Sequence, residues 1–446
     1  MSALRTLPKV DKCLKHPLLK NLSHPLVLQI ARQKIEQTRE KLIAKEIENV
    51  DEEALMQSIK EAYDQALSPS LVPLINATGV ILHTNMGRSL ISKKLLERAG
   101  EVICNYSNLE YDLALGSRGE RYEHVSGHLK LLLGVEDVLV VNNNAAAVFL
   151  ILNTFAKNKE VVVSRGELVE IGGSFRIPEV MKQSGAILTE VGATNKTKLS
   201  DYENAITDET MMLMKVHQSN FSIEGFSQSV PYETIRELAN DRSLLDYYDL
   251  GSGYVPTLPY NLGSKEHSLS EILTCKPSLI SFSGDKLFGS VQAGIIAGRK
   301  ELIAKLKKNQ LLRMLRVDKI TLSLLEESIK AYLTEEFEQI PTLWLLFRSV
   351  EALEQRALHV KNALDDGVCD IVHSETYMGG GTLPNRRFPT VALRIGGKAT
   401  RLERRFREHG VIGRIENDGF LLDFRTILPE LEDKLVTVIK TIIKEN

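Results

Sequence analysis

Between about residues 135 and 310, short β-rich runs alternate with helical stretches, and this rhythm narrows the possible folds more than any other feature of the chain. The runs fall at 138–141, 161–163, 186–191, 211–216, 244–250, 279–282 and 293–296. They are short and almost wholly apolar, as strands covered on both faces must be. The stretches between them carry helix signals: Pro178 near a helix start, Ser200 and Glu203 at capping-box spacing, and a helical run over 231–240. The expectation is an α/β fold with a mostly parallel sheet, helices on both faces, and ligands at the carboxyl ends of the strands.

The flanks read differently. Residues 1–66 contain no glycine, and Leu42, Ile43, Ile47, Leu55, Ile59 and Ala62 recur near helical spacing until Ser68-Pro69-Ser70 breaks the pattern. Beyond 310, helical segments at 321–333 and 342–364 precede a glycine turn at 379–381 and strands near 391–395 and 419–424. Three domains are therefore expected: a helical one over 1–66, a large α/β one over 67–310 and a small α+β one over 311–446.

The net charge of −2 conceals an asymmetry: residues 1–45 hold ten Lys or Arg against three acids, and residues 46–66 one Lys against seven acids. Such a basic start attracts nucleic-acid phosphates, although a solvated helix face has the same composition. The four cysteines are far apart, which points to neither a disulfide framework nor a metal site. Charged residues stand where a secretory signal would be apolar, and no apolar run reaches bilayer length. The expectation is a soluble, cytoplasmic protein without membrane contact.

Three local patterns carry the chemistry. In Ser281-Phe-Ser283-Gly-Asp285-Lys286-Leu-Phe-Gly289 a lysine leaves an apolar strand inside a loop bounded by glycines. Upstream, Asp249 closes another apolar strand before Gly251-Ser252-Gly253. Asn142-Asn143-Asn144-Ala145-Ala146-Ala147 follows the 138–141 run and opens a helix, whose free amides suit a phosphate. Pyridoxal 5′-phosphate (PLP) needs these three things: an amine to bond its aldehyde, a carboxylate to keep its pyridine nitrogen protonated, and a phosphate cradle. Alone, each pattern is equally a surface lysine, a turn or a helix cap; in this order within one α/β domain they are those of fold-type-I PLP enzymes. Lys286, Asp249, Asn143, Asn144, Ala145 and Ser283 are the expected cofactor contacts. His217 and Asn220, at the end of the 211–216 run, are candidates beside the ring, and a histidine in the core, or one that only supports the groups touching the ring, is an equal reading of His217.

Longer motifs bring in a family. Ile75-Asn-Ala-Thr-Gly-Val-Ile-Leu-His83-Thr-Asn-Met-Gly-Arg88, Leu109-Glu-Tyr-Asp-Leu113, Gly116-Ser-Arg118-Gly-Glu-Arg121, Ser164-Arg165-Gly-Glu167 and Phe282-Ser-Gly-Asp-Lys-Leu resemble those of the selenocysteine synthase family. The resemblance runs essentially end to end, including the segment opening with Leu7-Pro-Lys-Val-Asp11, which is similar to the family's tRNA-binding domain. Departures are Met86 for Leu, Ser290-Val291 for Gly-Pro, and Thr382 for Ser.

The resemblance implies a PLP-dependent transferase of aspartate-aminotransferase-like fold. It would convert L-seryl-tRNA(Sec) to L-selenocysteinyl-tRNA(Sec) with selenophosphate, by β-elimination of the seryl hydroxyl to an aminoacrylate and addition of selenium. It also implies a homo-oligomeric ring of dimers, a decamer in the family. Lys286 would take the Cα proton, with Asp285 managing the proton of the leaving hydroxyl. By matching motif, Arg88, Arg313 and Arg316 would bind the donor, since a planar guanidinium suits a multivalent oxyanion, with a solvated helix face as the other reading of Arg313 and Arg316. Arg118 would reach cofactor or substrate, from this or a neighbouring subunit, and His83 is either a further substrate contact or a core histidine. A related PLP lyase acting on a small phosphorylated amino compound would use the same Lys, Asp and arginines, but it has no need of a basic helical N-terminal domain. A non-catalytic tRNA-binding paralogue would not need Lys286 and Asp249 together.

Overall fold

A computed structural model describes residues 3–168, 170–171, 175–218, 223, 225–265 and 268–444. The chain forms two compact units, Met1–Pro73 and Leu74–Asn446.

The first unit is helical: Val10–Lys15, His24–Ile43 and Glu52–Leu67. Asp51 caps the third helix by accepting the Ala54 N–H at 3.0 Å. The helices close over Cys13, Leu19, Val27, Ala31, Met56 and Ile59, all buried. The hydroxyl of Tyr63 reaches the Ser23 N–H at 3.1 Å and ties the third helix to the start of the second.

The second unit is built on a seven-stranded sheet among the described residues. Its strands are β1 (Asp137–Val141), β2 (Glu160–Ser164), β3 (Ile187–Val191), β4 (Thr210–Val216), β5 (Leu245–Ser252), β6 (Leu279–Ser283) and β7 (Gly294–Gly298). The spatial order is β1-β7-β6-β5-β4-β2-β3. β7 runs antiparallel to both its neighbours, and the other pairings are parallel. Separate apolar clusters line the sheet: one holds Val140, Ile280, Phe282 and Ile295, another Leu139, Val163, Met214 and Ile296, so successive residues of a strand serve opposite faces. That double covering accounts for the unbroken apolar runs.

A second, antiparallel sheet joins β8 (Cys369–Gly379), β9 (Thr382–Ile395), β10 (Arg414–Glu416) and β11 (Gly419–Asp423) in the order β8-β9-β11-β10. The glycine turn at 379–381 connects β8 to β9, all three glycines having positive φ.

Two local expectations fail. The helix expected over 342–364 is two helices, Pro341–Phe347 and Val350–Asn362, because Ser349 starts a new N-terminus by accepting the Ala352 N–H at 3.2 Å. The capping box expected at Ser200 and Glu203 is displaced: the helix begins at Leu199, and Asp201 accepts the Lys198 N–H at 2.8 Å.

The segment 75–89 acts as a strap. Ile75 and Asn76 pair in parallel with Val411 and Ile412, next to the antiparallel sheet. Arg414 Nη1 holds the Thr78 carbonyl at 2.7 Å, and Thr426 accepts the Gly79 N–H at 3.0 Å. Gly79 has φ +84°, and a Cβ there would overlap the Asp423 carboxylate, which excludes any other residue at this crossing. The Leu82 N–H then bonds the Met378 carbonyl at 2.8 Å, and the strap ends on Asp285.

Candidate active site

The parallel strands deliver their functional residues at their carboxyl ends. Asp249 lies near the end of β5 and is buried; its Oδ1 accepts from Asn144 Nδ2 at 2.8 Å and from the Gly251 N–H at 3.2 Å. Burial pushes its carboxyl pKa up, while the Asn144 bond, the positive charge of Lys286 and the Gly251 bond pull it down. Lys286 is also buried, one turn beyond β6. The two residues therefore interact electrostatically in a dry crevice between neighbouring parallel strands. The His217 N–H donates to the Asp249 carbonyl at 2.8 Å, which places His217 at the same end of the sheet. Asn220 lies outside the described residues.

Backbone bonds close the lysine loop: the Gly284 N–H to the Ala293 carbonyl at 2.8 Å, Ser290 N–H to Gly284 carbonyl at 2.8 Å, and Gly289 N–H to Lys286 carbonyl at 2.9 Å. Ser290, the departure noted above, is 1% exposed and donates to Ser328 Oγ at 2.7 Å. The Tyr332 hydroxyl donates to the Phe288 carbonyl at 2.7 Å, so one helix, Lys319–Leu333, braces the loop twice.

Asn143 caps the Asn144–Phe155 helix by accepting the Ala146 N–H at 2.8 Å, and Ala145 lies in its first turn. The Asn142 N–H bonds the Leu315 carbonyl at 3.0 Å, bringing the 310–317 stretch beside this turn. Gly294 permits the approach of β7: a Cβ there would overlap the Asn143 carbonyl. Asn144 Oδ1, Ser252 Oγ and His83 Nδ1 are buried without a hydrogen-bond partner among the described residues. Buried polar atoms of this kind are where a polar ligand is accommodated. Together with the amine, the carboxylate and the helix amides, they fit PLP: Lys286 to bond it, Asp249 to face the pyridine nitrogen, and the 143–145 turn with buried Ser283 to hold the phosphate.

The arginines form two groups. Arg88 has φ +58°, a left-handed conformation that is costly for a side chain of this size, and its Nη1 donates to Asp285 Oδ2 at 2.9 Å. The Ser89 N–H meets the Asp285 carbonyl at 3.3 Å, so the strap grips Asp285 by side chain and backbone. Burial lowers the pKa of His83, on the same strap, and favours its neutral imidazole. In the second group Glu110 gathers Arg121 at 2.9 Å, Arg316 at 3.2 Å and Arg118 at 3.7 Å. Arg121 also holds the Val317 carbonyl, at 2.5 Å. Burial opposes ionisation of Glu110, but the three arginines outweigh it and hold its pKa below the usual carboxylate range. Arg313 is exposed and forms no ion pair among the described residues.

Sequence reasoning missed Glu110 as the organiser of the arginines, Gly294 as the residue that admits the phosphate turn, and Glu167. Glu167 is 3% exposed; it accepts from Lys215 Nζ at 2.8 Å and from the Val216 N–H at 3.0 Å, locking the stretch after β2 to the end of β4. The alternation of charge in Ser164-Arg165-Gly-Glu167 carries no hint of that partner 48 residues away.

Sheet order, the buried lysine and carboxylate, and the capped turn at 143–145 are those of a fold-type-I PLP-dependent transferase. A solved structure of D-glucosaminate-6-phosphate ammonia-lyase shares this fold, with a TM-score of 0.63 over 86% of this chain and 98% of that one at 18% identity. The family model described as SelA, L-seryl-tRNA selenium transferase, matches residues 74–428, and the chain belongs to that family. Proteins named L-seryl-tRNA(Sec) selenium transferase are similar along their whole length. The one from Aliarcobacter butzleri is 55% identical, covering 100% of this chain and 99% of its own; that from Sulfurimonas denitrificans is 54% identical, covering 99% of each.

Proposed function

We propose that this chain converts L-seryl-tRNA(Sec) to L-selenocysteinyl-tRNA(Sec), with selenophosphate as the selenium donor and PLP as cofactor. The observation that carries the reading is the buried Lys286 and Asp249, with Asn144 bonded to that carboxylate, in a chain whose relatives of this activity match it from end to end. The helical unit supports it: similarity covers residues 1–73 as well, and a small-molecule lyase has no use for that unit. The basic charge of residues 1–45 suits tRNA phosphates. Beyond that unit, we divide the chain at about residue 310 into a large cofactor-binding domain and a small C-terminal one.

When bound, PLP supplies an electron sink that acidifies the seryl Cα–H. The residues of the chain do the rest. Lys286 would hold the cofactor through Nζ and would accept the seryl Cα proton at the same atom. Asp285 lies next to it and is fixed by Arg88 and Ser89, so that its carboxylate can pass the proton taken up by Lys286 on to the departing hydroxyl oxygen, which leaves as water. Arg316 and Arg118, gathered by Glu110, would bind the oxyanion donor, and Arg313 would extend that basic surface; Arg88 contributes through Asp285. His83, kept neutral, contacts substrate without adding charge.

Arg118 is exposed on a hairpin that also exposes Tyr111, Leu113 and Leu115. An apolar, uncovered hairpin of this kind suits self-association, and the assembly we propose is a homo-oligomer, a ring of dimers, in the cytoplasm. No described helix is long and apolar enough to cross a membrane.

The test is turnover of radiolabelled seryl-tRNA(Sec) with selenophosphate, beside seryl-tRNA(Ser) and a Lys286→Ala control. Selenocysteine formed on the first tRNA only, and lost in the control, is the expected result. A PLP-loaded protein inert towards both tRNAs would overturn the reading.

A further inference from the structure

At the opposite end of the sheet from Lys286, a cavity of about 400 Å³ opens between the start of β5, the residues leading into β6 and the residue that follows β7. Three cations line it: Arg236, Lys276 and Arg299, with Asp246 as the one acid. Asp246 is 4% exposed and already accepts three hydrogen bonds. It accepts from the Tyr232 hydroxyl at 2.5 Å, the Ser278 N–H at 2.9 Å and Ser278 Oγ at 2.5 Å. Arg299 Nη2 donates to Ser278 Oγ at 2.6 Å, so the charge of Asp246 is balanced through Ser278 by Arg299.

The other two cations are left over. The one side-chain bond of Arg236 among the described residues runs from Nε to the Lys276 carbonyl at 3.1 Å, which holds its guanidinium at the wall without neutralising it. Lys276 is exposed and makes no ion pair among the described residues; its φ of +51° belongs to the turn that presents it. Arg299 Nε is buried without a hydrogen-bond partner, its nearest carboxylate, Glu301, being 3.7 Å away. Like charges gathered round a polar cavity repel one another and raise its affinity for a multivalent anion. Asn240 and Ser243, at the rim, add neutral hydrogen-bonding groups.

We propose that this cavity is a second anion site, separate from the catalytic crevice, which takes a phosphate group through Arg236 and Lys276 with Arg299 behind them. The phosphate comes either from a free phosphorylated small molecule or from an RNA backbone, both of which present the same oxygens to these cations.

The experiment uses the full-length, PLP-loaded protein in low-chloride buffer and titrates inorganic pyrophosphate by calorimetry. Variants are Lys276→Gln, Arg236→Gln and, as a control on an exposed lysine elsewhere, Lys308→Gln. Expected is a binding event that weakens by about fivefold or more in each of the first two variants and not in the control. An isotherm unchanged in both variants overturns the site. Arg236 also braces the Lys276 carbonyl, so Lys276→Gln, which removes a charge without a partner, keeps the test decisive should Arg236→Gln fold poorly. The source follows from the KM for tRNA: a rise in Lys276→Gln assigns the phosphate to RNA, and an unchanged KM with weakened pyrophosphate binding assigns it to a small molecule. The pyrophosphate readout needs no turnover, so it stands or falls separately from the proposed reaction.

Discussion

Replacing Glu167 by Gln removes one charge from a nearly dry ion pair while keeping the shape of the side chain. Side-chain exposures are 4% for Glu167 and 13% for Lys215, and Oε1 and Nζ are 2.8 Å apart. Breaking such a pair from one side costs about 3–5 kcal/mol, because the remaining charge stays buried. Lys215 retains the Val230 carbonyl at 2.9 Å, which argues for the lower end, about 3 kcal/mol. With an unfolding entropy of about 2 cal/mol/K per residue over the Leu74–Asn446 unit, that is a fall in Tm of about 4 °C. Differential scanning calorimetry on the PLP-loaded protein would measure it. The double variant Glu167→Gln with Lys215→Met removes the stranded ammonium and is expected to recover about 1 kcal/mol or more. A single variant within about 1 °C of the parent, or a double variant less stable than the single, would refute the account of Glu167 as a buried charge partner. Because Val216 N–H also bonds Glu167, His217 should shift with it, and kcat is expected to fall more than KM rises.

Asp249→Asn is expected to weaken PLP retention by at least about tenfold and to shift the absorbance band of bound cofactor, since the amide cannot hold the pyridine nitrogen protonated; unchanged retention on dialysis would remove Asp249 from that role. In the PLP-free protein the raised carboxyl pKa of Asp249 has a definite sign: the folded state binds the proton more tightly than the unfolded, so this group's contribution to stability falls as pH rises from the ordinary carboxylate range through the raised value. Denaturant titrations of parent and Asp249→Asn over that range should differ in slope, the parent losing stability relative to the variant as pH rises. Gly79→Ala, which forces a left-handed alanine onto Asp423, is expected to destabilise by about 2 kcal/mol or more and to lower kcat through Arg88 and Asp285; a variant of parental stability would contradict the strap geometry. Glu110→Gln frees three arginines from their common counter-charge, so inhibition by inorganic phosphate should strengthen several-fold at low salt, and weaker inhibition would mean that Glu110 holds the arginines in place more than it competes for them.

Much of this was readable from spacing alone. A lysine one turn past an apolar run, an aspartate closing another such run and an asparagine opening a helix are local patterns, and the parallel sheet brings all three to one edge. The chain break at Ser349 was hidden because apolar residues continue on both sides of it, so periodicity stays in phase while the backbone does not. Glu110 and Glu167 stand inside motifs that say nothing of their roles; their partners stand far away in sequence, and only the closed fold pairs them. Gly294 carried no signal either, since its role is to be small against Asn143, a neighbour across the sheet and not along the chain.

The strap at 75–89 also limits how this protein can be recombined with its relatives. A chimera joined anywhere between residues 90 and 370 would inherit its Asp285 grip from one parent and the strap's anchor at Arg414, Asp423 and Thr426 from the other. Crossovers that exchange 75–89 together with 411–426 keep each anchor with the segment it was selected to hold, and libraries built on any other scheme should be enriched in folded but catalytically silent members.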